Sequence, residues 1–590
     1  MIRKLLAQVK QYKRASILTP ICMIVEVLME TLIPLITAML IDRGINGADG
    51  AQLGEVLKYG GLMLVCAFIS LGAGFGGGKF GAEASAGFAA NLRNAMYENI
   101  QTFSFSNIDK FSTAGLVTRM TTDVTNIQNA FQMILRIAIR APLQLLFSMV
   151  MCFVINAELS MVFLIALAVL SVALSIIIKV ATKRFRYLFD RYDDLNASVQ
   201  ENVSAIRVVK AFVREDHETV KFRKASKALR DYSINAEKIV ILNNPIMMLV
   251  VYACIIGLSW LGAKHVVAGT LTTGELTSMF TYVMTALMSL MMLSMIFVML
   301  TMSLASARRI CEVLDEKADL VDPADPIREV KDGAIDFDHV TFAYKSGTGE
   351  PTLKDIDLHI RAGETIGIIG GTGSGKSSLV NLISRLYDVQ DGCVKVGGVD
   401  VRSYELEALR NAVSVVLQKN VLFSGTILDN LRWGKEDATL EECREACRLA
   451  CADDFVMARE DGYDTMIGQG GTNVSGGQKQ RLCIARALLK HPKVLVLDDS
   501  TSAVDTATDA QIRKAFATKI PGTTKLIIAQ RISSVQDADR ILVLDNGHID
   551  GFGSHAELME TNEIYREIYE TQTKGGGDFD QPGQNGGAAE

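Results

Sequence analysis

Up to about residue 310, hydrophobic positions crowd the chain in long uncharged runs. Beyond that they shorten into apolar stretches separated by polar turns. Leu159–Ile178, Ile239–Ala263 and Leu276–Ala307 contain no charged residue, and a membrane helix needs about 20 mostly apolar residues. Glycine-rich Tyr59–Gly78 also qualifies, as does Ala141–Ala157 if extended backwards. Ser16–Ile41 reads as a further span, interrupted by Glu26 and Glu30. The pattern predicts six spans, which places both termini on one side of the membrane. Met1–Arg14 is basic and amphipathic, like an interfacial helix leading into the first span. Lys179, Lys183, Arg184 and Arg186 follow the fourth span and mark a cytoplasmic segment. No short apolar core with a small-residue cleavage site, the mark of a cleaved signal peptide, is evident.

Between spans two and three (Lys79–Arg140) and spans four and five (Lys179–Lys238) the polar segments keep an apolar helical period. They read as membrane helices continued far into the cytoplasm, turning near Asn107–Ser112 and near Val213–His217. Short loops at Asn156–Glu158 and His265–Gly274 join spans at the other face. A charged linker with two Asp-Pro steps, Asp315–Pro326, separates the halves. From Ala334, strand signals alternate with helical ones, which predicts a parallel sheet with helices on its faces. The expected organisation is a transmembrane domain at 1–314, a linker at 315–333, a nucleotide-binding domain at 334–573 and a disordered Gly-, Asn- and Gln-rich tail at 574–590.

Composition adds little to this division. At 590 residues the chain exceeds one domain, and its mean hydropathy of +0.23 averages two unlike halves. Ten cysteines form no disulfide framework. Cys443, Cys447 and Cys451 recur every four residues, as on one helix face. Packing explains them better than a metal site, because no histidine or fourth ligand is spaced to complete one.

The chemistry concentrates in the second half. Gly370-Gly371-Thr372-Gly373-Ser374-Gly375-Lys376-Ser377, followed by Ser378, lies between the apolar stretch Thr365–Ile369 and a helical pattern to Leu386. That is the context of a phosphate-binding loop. Glycines let N–H groups point at phosphate oxygens, Lys376 suits the β- and γ-phosphates, and Ser377 suits Mg2+. Asp498 ends the apolar strand Lys493–Leu497, where a carboxylate needs a cation. Asp499 follows it, in the place of a general base. Gln530 ends a second strand, Lys525–Ala529.

Val474-Ser475-Gly476-Gly477-Gln478 is more specific than the loop. With it the chain resembles the ATP-binding cassette transporters over essentially its whole length except the tail. The resemblance implies a polytopic α-helical membrane domain of six spans with long intracellular helical extensions. An α/β P-loop ATP-binding cassette domain then follows. It implies adenine stacking by Tyr344, a Mg2+ contact by Gln418, and communication across a dimer by Ser502–Asp505. In this family two cassettes sandwich two ATPs, so Ser475, Gly476, Gly477 and Gln478 serve a partner's ATP. Asp499 stands at the position of the family's catalytic glutamate and Gln530 at that of its switch histidine. Gln469 stands where many exporters carry glutamate. Both changes beside an intact signature resemble the degenerate-site subunit of heterodimeric bacterial multidrug-type exporters.

The expected protein is therefore one half of a heterodimer in the plasma membrane, with a cytoplasmic nucleotide-binding domain. Its cofactors are ATP and Mg2+, and its expected partners are a second half-transporter, membrane lipid and small-molecule cargo, with no nucleic acid. ATP hydrolysis, mainly at the composite site with the partner's Walker motifs, would drive export of hydrophobic or amphipathic compounds. The alternatives are a lipid flippase, an importer borrowing the fold, and a regulatory subunit with little hydrolysis. Met284, Met288, Met291, Met295, Met299 and Met302 recur at helical spacing in the last span. They form a candidate cargo wall or a packed face. Glu26 and Glu30, one turn apart, suit either cationic cargo or a structural hydrogen bond.

Overall fold

The computed structural model describes residues 1–47, 50–344, 350–499 and 504–574, without the side chains of 186, 189, 190, 193, 197, 297, 298, 301 and 302. The expected tail beyond Lys574, Ser502 of the expected communication loop and the Met302 side chain lie outside the described residues.

Two compact units divide the chain. The first holds Met1–Gln101 and Ser112–Glu316, and the second Thr102–Phe111 and Lys317–Glu590. Among the described residues six helices are long and apolar enough to cross a membrane: Lys10–Ile45, Leu53–Gln101, Thr113–Ile155, Ala157–Phe185, Glu215–Val267 and Thr273–Ile296. The protein is a multi-pass membrane protein.

The principal helices of the first half are α1 (Lys13–Met39), α2 (Leu53–Gln101), α3 (Phe105–Phe111), α4 (Val124–Ile155), α5 (Ala157–Ser204), α6 (Ile206–Ala211), α7 (Glu215–Ile241), α8 (Asn243–Val267) and α9 (Thr273–Asp315). Asn156 accepts from the Leu159 N–H and caps α5, so the turn after α4 needs a single residue. Thr272 and Glu275 form a capping box at the start of α9. Asp42 then accepts from the Thr272 hydroxyl at 2.6 Å and the Gly274 N–H at 2.9 Å, pinning the end of the first span to the start of the last. A buried apolar cluster of Leu159, Phe163, Leu258, Met279 and Tyr282 packs α5, α8 and α9 together.

One expectation about this half needs a small correction. The second intracellular turn is the helix α6 with residues 212–214 after it, a little before the expected Val213–His217. Acidic Glu215, Asp216 and Glu218 fill the first turn of α7, where negative charge is stabilised. Arg140 sits inside α4, in keeping with a third span extended backwards from Ala141.

Among the described residues the second unit carries twelve strands: β1 (Ile335–Phe342), β2 (Leu353–Ile360), β3 (Thr365–Gly370), β4 (Asp391–Val396), β5 (Val399–Asp400), β6 (Val413–Val416), β7 (Gly425–Thr426), β8 (Met466–Ile467), β9 (Val494–Asp498), β10 (Thr524–Ile528), β11 (Arg540–Asp545) and β12 (His548–Gly553). The main sheet has the order β12-β11-β3-β10-β9-β6 and is parallel except for β12. Every residue of β9 and β10 is buried, as befits parallel strands covered on both faces. A four-stranded antiparallel sheet, β2-β1-β4-β5, stands beside it. Cys443 and Cys447 lie in the apolar core, and burial pushes the Cys447 thiol up to about 12.

Candidate functional site

Ile528 of β10 is level with both Ile368 of β3 and Asp498 of β9. The carboxyl ends of these three strands therefore share one edge, where open parallel sheets bind ligands. β3 leads into the glycine loop, and helix α10 (Lys376–Ile383) leaves it. Gly370 has φ +149°, and a Cβ there would stand 2.1 Å from the Leu544 carbonyl oxygen. Gly375 caps α10 with φ +99°. Neither position tolerates a side chain in this conformation. The first N–H groups of α10 thus border the loop, a setting that favours phosphate.

The polar groups at this edge are linked. Lys376 Nζ donates to the carbonyls of Gly370 (2.9 Å) and Gly371 (2.8 Å). Burial draws its pKa down, against the pull of Asp498 and Asp499. Ser377 Oγ donates to Asp498 Oδ1 at 3.1 Å. Asp498 is 5% exposed. Burial raises its carboxyl above the usual range; Asp499 adds to this, while the Ser377 hydrogen bond and Lys376 oppose it. A hydroxyl and a buried carboxylate so placed are hard oxygen ligands that fit Mg2+, whose charge would relieve the carboxylate.

Asp499 adopts φ +50°, with its N–H bonded to the Ile528 carbonyl at 3.1 Å. Its Oδ2 accepts from Gln530 Nε2 at 2.8 Å, and its carbonyl accepts from Gln480 Nε2 at 3.5 Å. The Gln530 turn is braced in turn. Gln572 Nε2 donates to the Gln530 carbonyl and Gln572 Oε1 accepts from the Ile532 N–H, both at 2.9 Å. Sequence reasoning gave no role to Gln480 or Gln572; only the fold brings them here.

At the other side of the loop, the Tyr344 hydroxyl lies 2.9 Å from Ser378 Oγ, and the ring is 46% exposed. Tyr344 stands edge-on to Phe342 (4.9 Å between centroids) and Tyr387 (5.1 Å). A half-exposed ring beside a phosphate loop is suited to stacking on a base. Gln418 is exposed just after β6. Ser475 caps helix α11 (Gly476–Leu488). Its hydroxyl accepts from the Gln478 N–H, while Gln478 Oε1 accepts from the Ser475 N–H at 3.1 Å. The Ser-x-x-Gln spacing is itself a capping box, and Gly476 and Gly477 form its first turn. Lys479 Nζ donates to the Gly470 carbonyl at 2.7 Å, next to Gln469. Asp505 caps the helix Thr506–Lys519 through the Thr508 N–H, and hydrogen bonds from Thr508 hold its carboxyl below the usual range.

The structure thus joins Lys376, Ser377, Asp498, Asp499 and Gln530 at one edge. Gln480 ties the signature helix α11 to Asp499.

In the membrane half, Arg140 bridges both glutamates, with Nη1 2.9 Å from Glu26 Oε1 and Nη2 2.8 Å from Glu30 Oε1. The methionines divide. Met284 and Met291 pack partly against the buried cluster of α5, α8 and α9, Met299 is half-buried, and Met288 and Met295 are exposed.

Two family models match the chain. Residues 16–313 match the ABC transporter transmembrane region, and residues 353–502 match the ABC transporter domain. An uncharacterized ABC transporter ATP-binding protein, YfiB of Bacillus subtilis, is 36% identical over 571 residues, covering 97% of this chain and 98% of its own. The ATP-dependent lipid A-core flippase of Hahella chejuensis is 33% identical over 517 residues, 87% of each chain. Among solved structures, a bacterial Atm1-family ABC exporter with ATP bound superposes with a TM-score of 0.81 at 25% identity, covering 95% of this chain and 99% of that one.

Proposed function

This chain belongs to the ABC transporter family, as a half-transporter with six membrane helices and one cytoplasmic ABC domain, and we propose that it exports hydrophobic or amphipathic compounds as one half of a heterodimer. ATP-driven transport of the exporter type follows from the family. The heterodimer and the degenerate site are our reading. One observation carries it: the residue bonded to Asp499 at the end of β9 is the amide of Gln530.

ATP would lie on the glycine loop, with Tyr344 against the base, Lys376 at the β- and γ-phosphates, and Ser377, Gln418 and Asp498 around Mg2+. Mg2+, when bound, would neutralise phosphate charge. Asp499 is the carboxylate placed to orient water, yet it is one methylene shorter than glutamate, and a misplacement of about 1 Å costs roughly 10²-fold in rate. Gln530 donates to Asp499 but never becomes cationic, as a histidine can. The chain's own loop is thus suited to binding ATP and poorly suited to cleaving it. Ser475, Gly476, Gly477 and Gln478 would complete the partner's site, where most hydrolysis occurs.

Turnover by the purified full-length chain tests this, alone and with a co-purified second half-transporter. The expected result is slow hydrolysis alone and a rate about 10²-fold higher in the complex. Robust ATPase from the chain alone, abolished by Asp499→Asn, refutes the degenerate site. A second reading, a lipid flippase, is favoured by relatives that bear that name at 33% identity. Faster ATP-dependent movement of a labelled phospholipid than of an amphipathic dye in proteoliposomes would select it.

A further inference from the structure

The antiparallel sheet β2-β1-β4-β5 turns one face to an apolar core and the other outward. In β1, Ile335 and Phe337 are buried, and Asp336 and Asp338 alternate with them. In β2, Ile356, Leu358 and Ile360 are buried, and Asp357 and His359 between them are exposed. Successive side chains of a strand point to opposite faces, so these four polar residues share the outer one. Strand register then gathers them. Asp336 is level with His359 of β2 and with Lys395 of β4, and Asp338 is level with Cys393 of β4.

Ligand atoms from Asp338, Asp357 and His359, one each, all lie within 4.8 Å of one another. His359 Nε2 and Asp357 Oδ1 are 3.5 Å apart. Two ligands of a tetrahedral Zn2+, with bonds of about 2.0–2.1 Å, stand about 3.4 Å apart. The other ring nitrogen, His359 Nδ1, lies 2.8 Å from Asp336 Oδ1. A histidine that binds metal through one nitrogen is typically oriented in this way, by a carboxylate on the other. Asp338 is held from the β4 side. Lys395 Nζ is 2.6 Å from its Oδ2, and the Cys393 thiol donates to the same oxygen at 3.4 Å. Three carboxylates here face one ammonium, so the patch favours a further cation. An imidazole with two carboxylates is a mixed nitrogen and oxygen set, not a purely acidic one. It suits a borderline divalent metal better than Mg2+ or Ca2+.

We propose that His359, Asp357 and Asp338 form a site for a divalent transition metal, with Zn2+ the ion these donors fit best and water in the remaining positions. Asp336 is a positioning residue that sets the imidazole. The ion takes the place of the proton that otherwise lets the imidazole bridge Asp336 and Asp357. It cross-links β1 to β2 beside the register shift that follows Phe337. The strand so stiffened ends two residues before Tyr344. None of the ligands is among the residues that hold nucleotide or Mg2+ in the reading above.

Zn2+ titration of the full-length protein in lipid nanodiscs tests the proposal, with excess Mg2+ present throughout so that the Asp498 edge takes up no Zn2+. The unsubstituted protein should bind one more Zn2+ than His359→Ala or Asp357→Asn. Asp336→Asn should weaken binding about 10- to 100-fold. Lys395→Met, which removes the competing charge, should tighten it. X-ray absorption at one equivalent should show nitrogen and oxygen neighbours at about 2.0–2.2 Å and no sulfur at about 2.3 Å. Hydrogen exchange of residues 335–342 and 353–360 should slow with Zn2+ in the unsubstituted protein and not in His359→Ala. ATP affinity within about twofold in every variant would show that the domain remains folded. Equal Zn2+ stoichiometry in the unsubstituted protein and His359→Ala overturns the proposal, because His359 is then an ordinary ion-paired imidazolium. Sulfur neighbours overturn it as well, since cysteines then hold the ion. Displacement of the Zn2+ by Mg2+ at comparable concentration overturns the assignment to a transition metal.

Discussion

Glu26 and Glu30 in the membrane half, and Asp498 and Asp499 in the cytoplasmic half, are both pairs of carboxylates in apolar surroundings. An arginine bridges the first pair. The second pair accepts from the Ser377 hydroxyl and the Gln530 amide, with the Lys376 charge nearby. Where a chain supplies matching charge itself, the group is part of the structure. Where hydrogen bonds and a nearby lysine still leave a buried carboxyl above its usual range, the group is set for an added cation. The Arg140 bridge gives the glutamates a structural role, although Glu26 Oε2 is buried without a hydrogen-bond partner among the described residues.

The largest expected effect breaks the membrane pair. Arg140→Ala leaves two carboxylates without their partner, which destabilises by on the order of 3 kcal/mol. Unfolding in denaturant would read the loss. Adding Glu26→Gln and Glu30→Gln should recover most of it, since no charge then remains to compensate. Undiminished stability of the single variant would remove the contrast between the two pairs.

Asp498→Asn should act in the opposite sense. A carboxyl whose pKa is raised on folding favours the protonated state. Its contribution is complete below the usual carboxylate range and is lost as pH rises through the raised value. Without nucleotide or Mg2+, the asparagine variant should melt a few degrees above the unsubstituted protein at about pH 7, with no difference near pH 4. Thermal melts at the two pH values would measure this. Identical melting at about pH 7 would mean that the site already balances its own charge.

The smallest effect concerns the methionines. Met288→Leu with Met295→Leu, at the exposed positions, should shift stability by less than about 1.5 kcal/mol. Efflux unchanged for every substrate would argue against a permissive cargo wall.

The glycine loop, the two aspartates and the signature were legible because each depends on neighbours within a few residues. Asp498 ends β9 and Gln530 follows β10, as their apolar runs indicated, and strand register then sets them side by side. The bridge made by Arg140 was not legible along the chain. Its partners lie on another helix, 110 and 114 residues away. His359 gave no signal for the same reason: Asp336, which orients it, is 23 residues distant. Gln572, in the last described helix, braces Gln530 through contacts that no local pattern encodes. The methionine stripe had the right period, but period alone does not say which side meets protein.

The unbroken length of α2 has a mechanical consequence. It runs for 49 residues from Leu53 to Gln101, and at about 1.5 Å per residue it is a rod of about 74 Å, so a tilt of about 5° at one end swings the other by about 6 Å. The rod acts as a lever, and a rotation of its cytoplasmic end too small to disturb side-chain packing becomes, at its outer end, a displacement wider than a helical turn is tall.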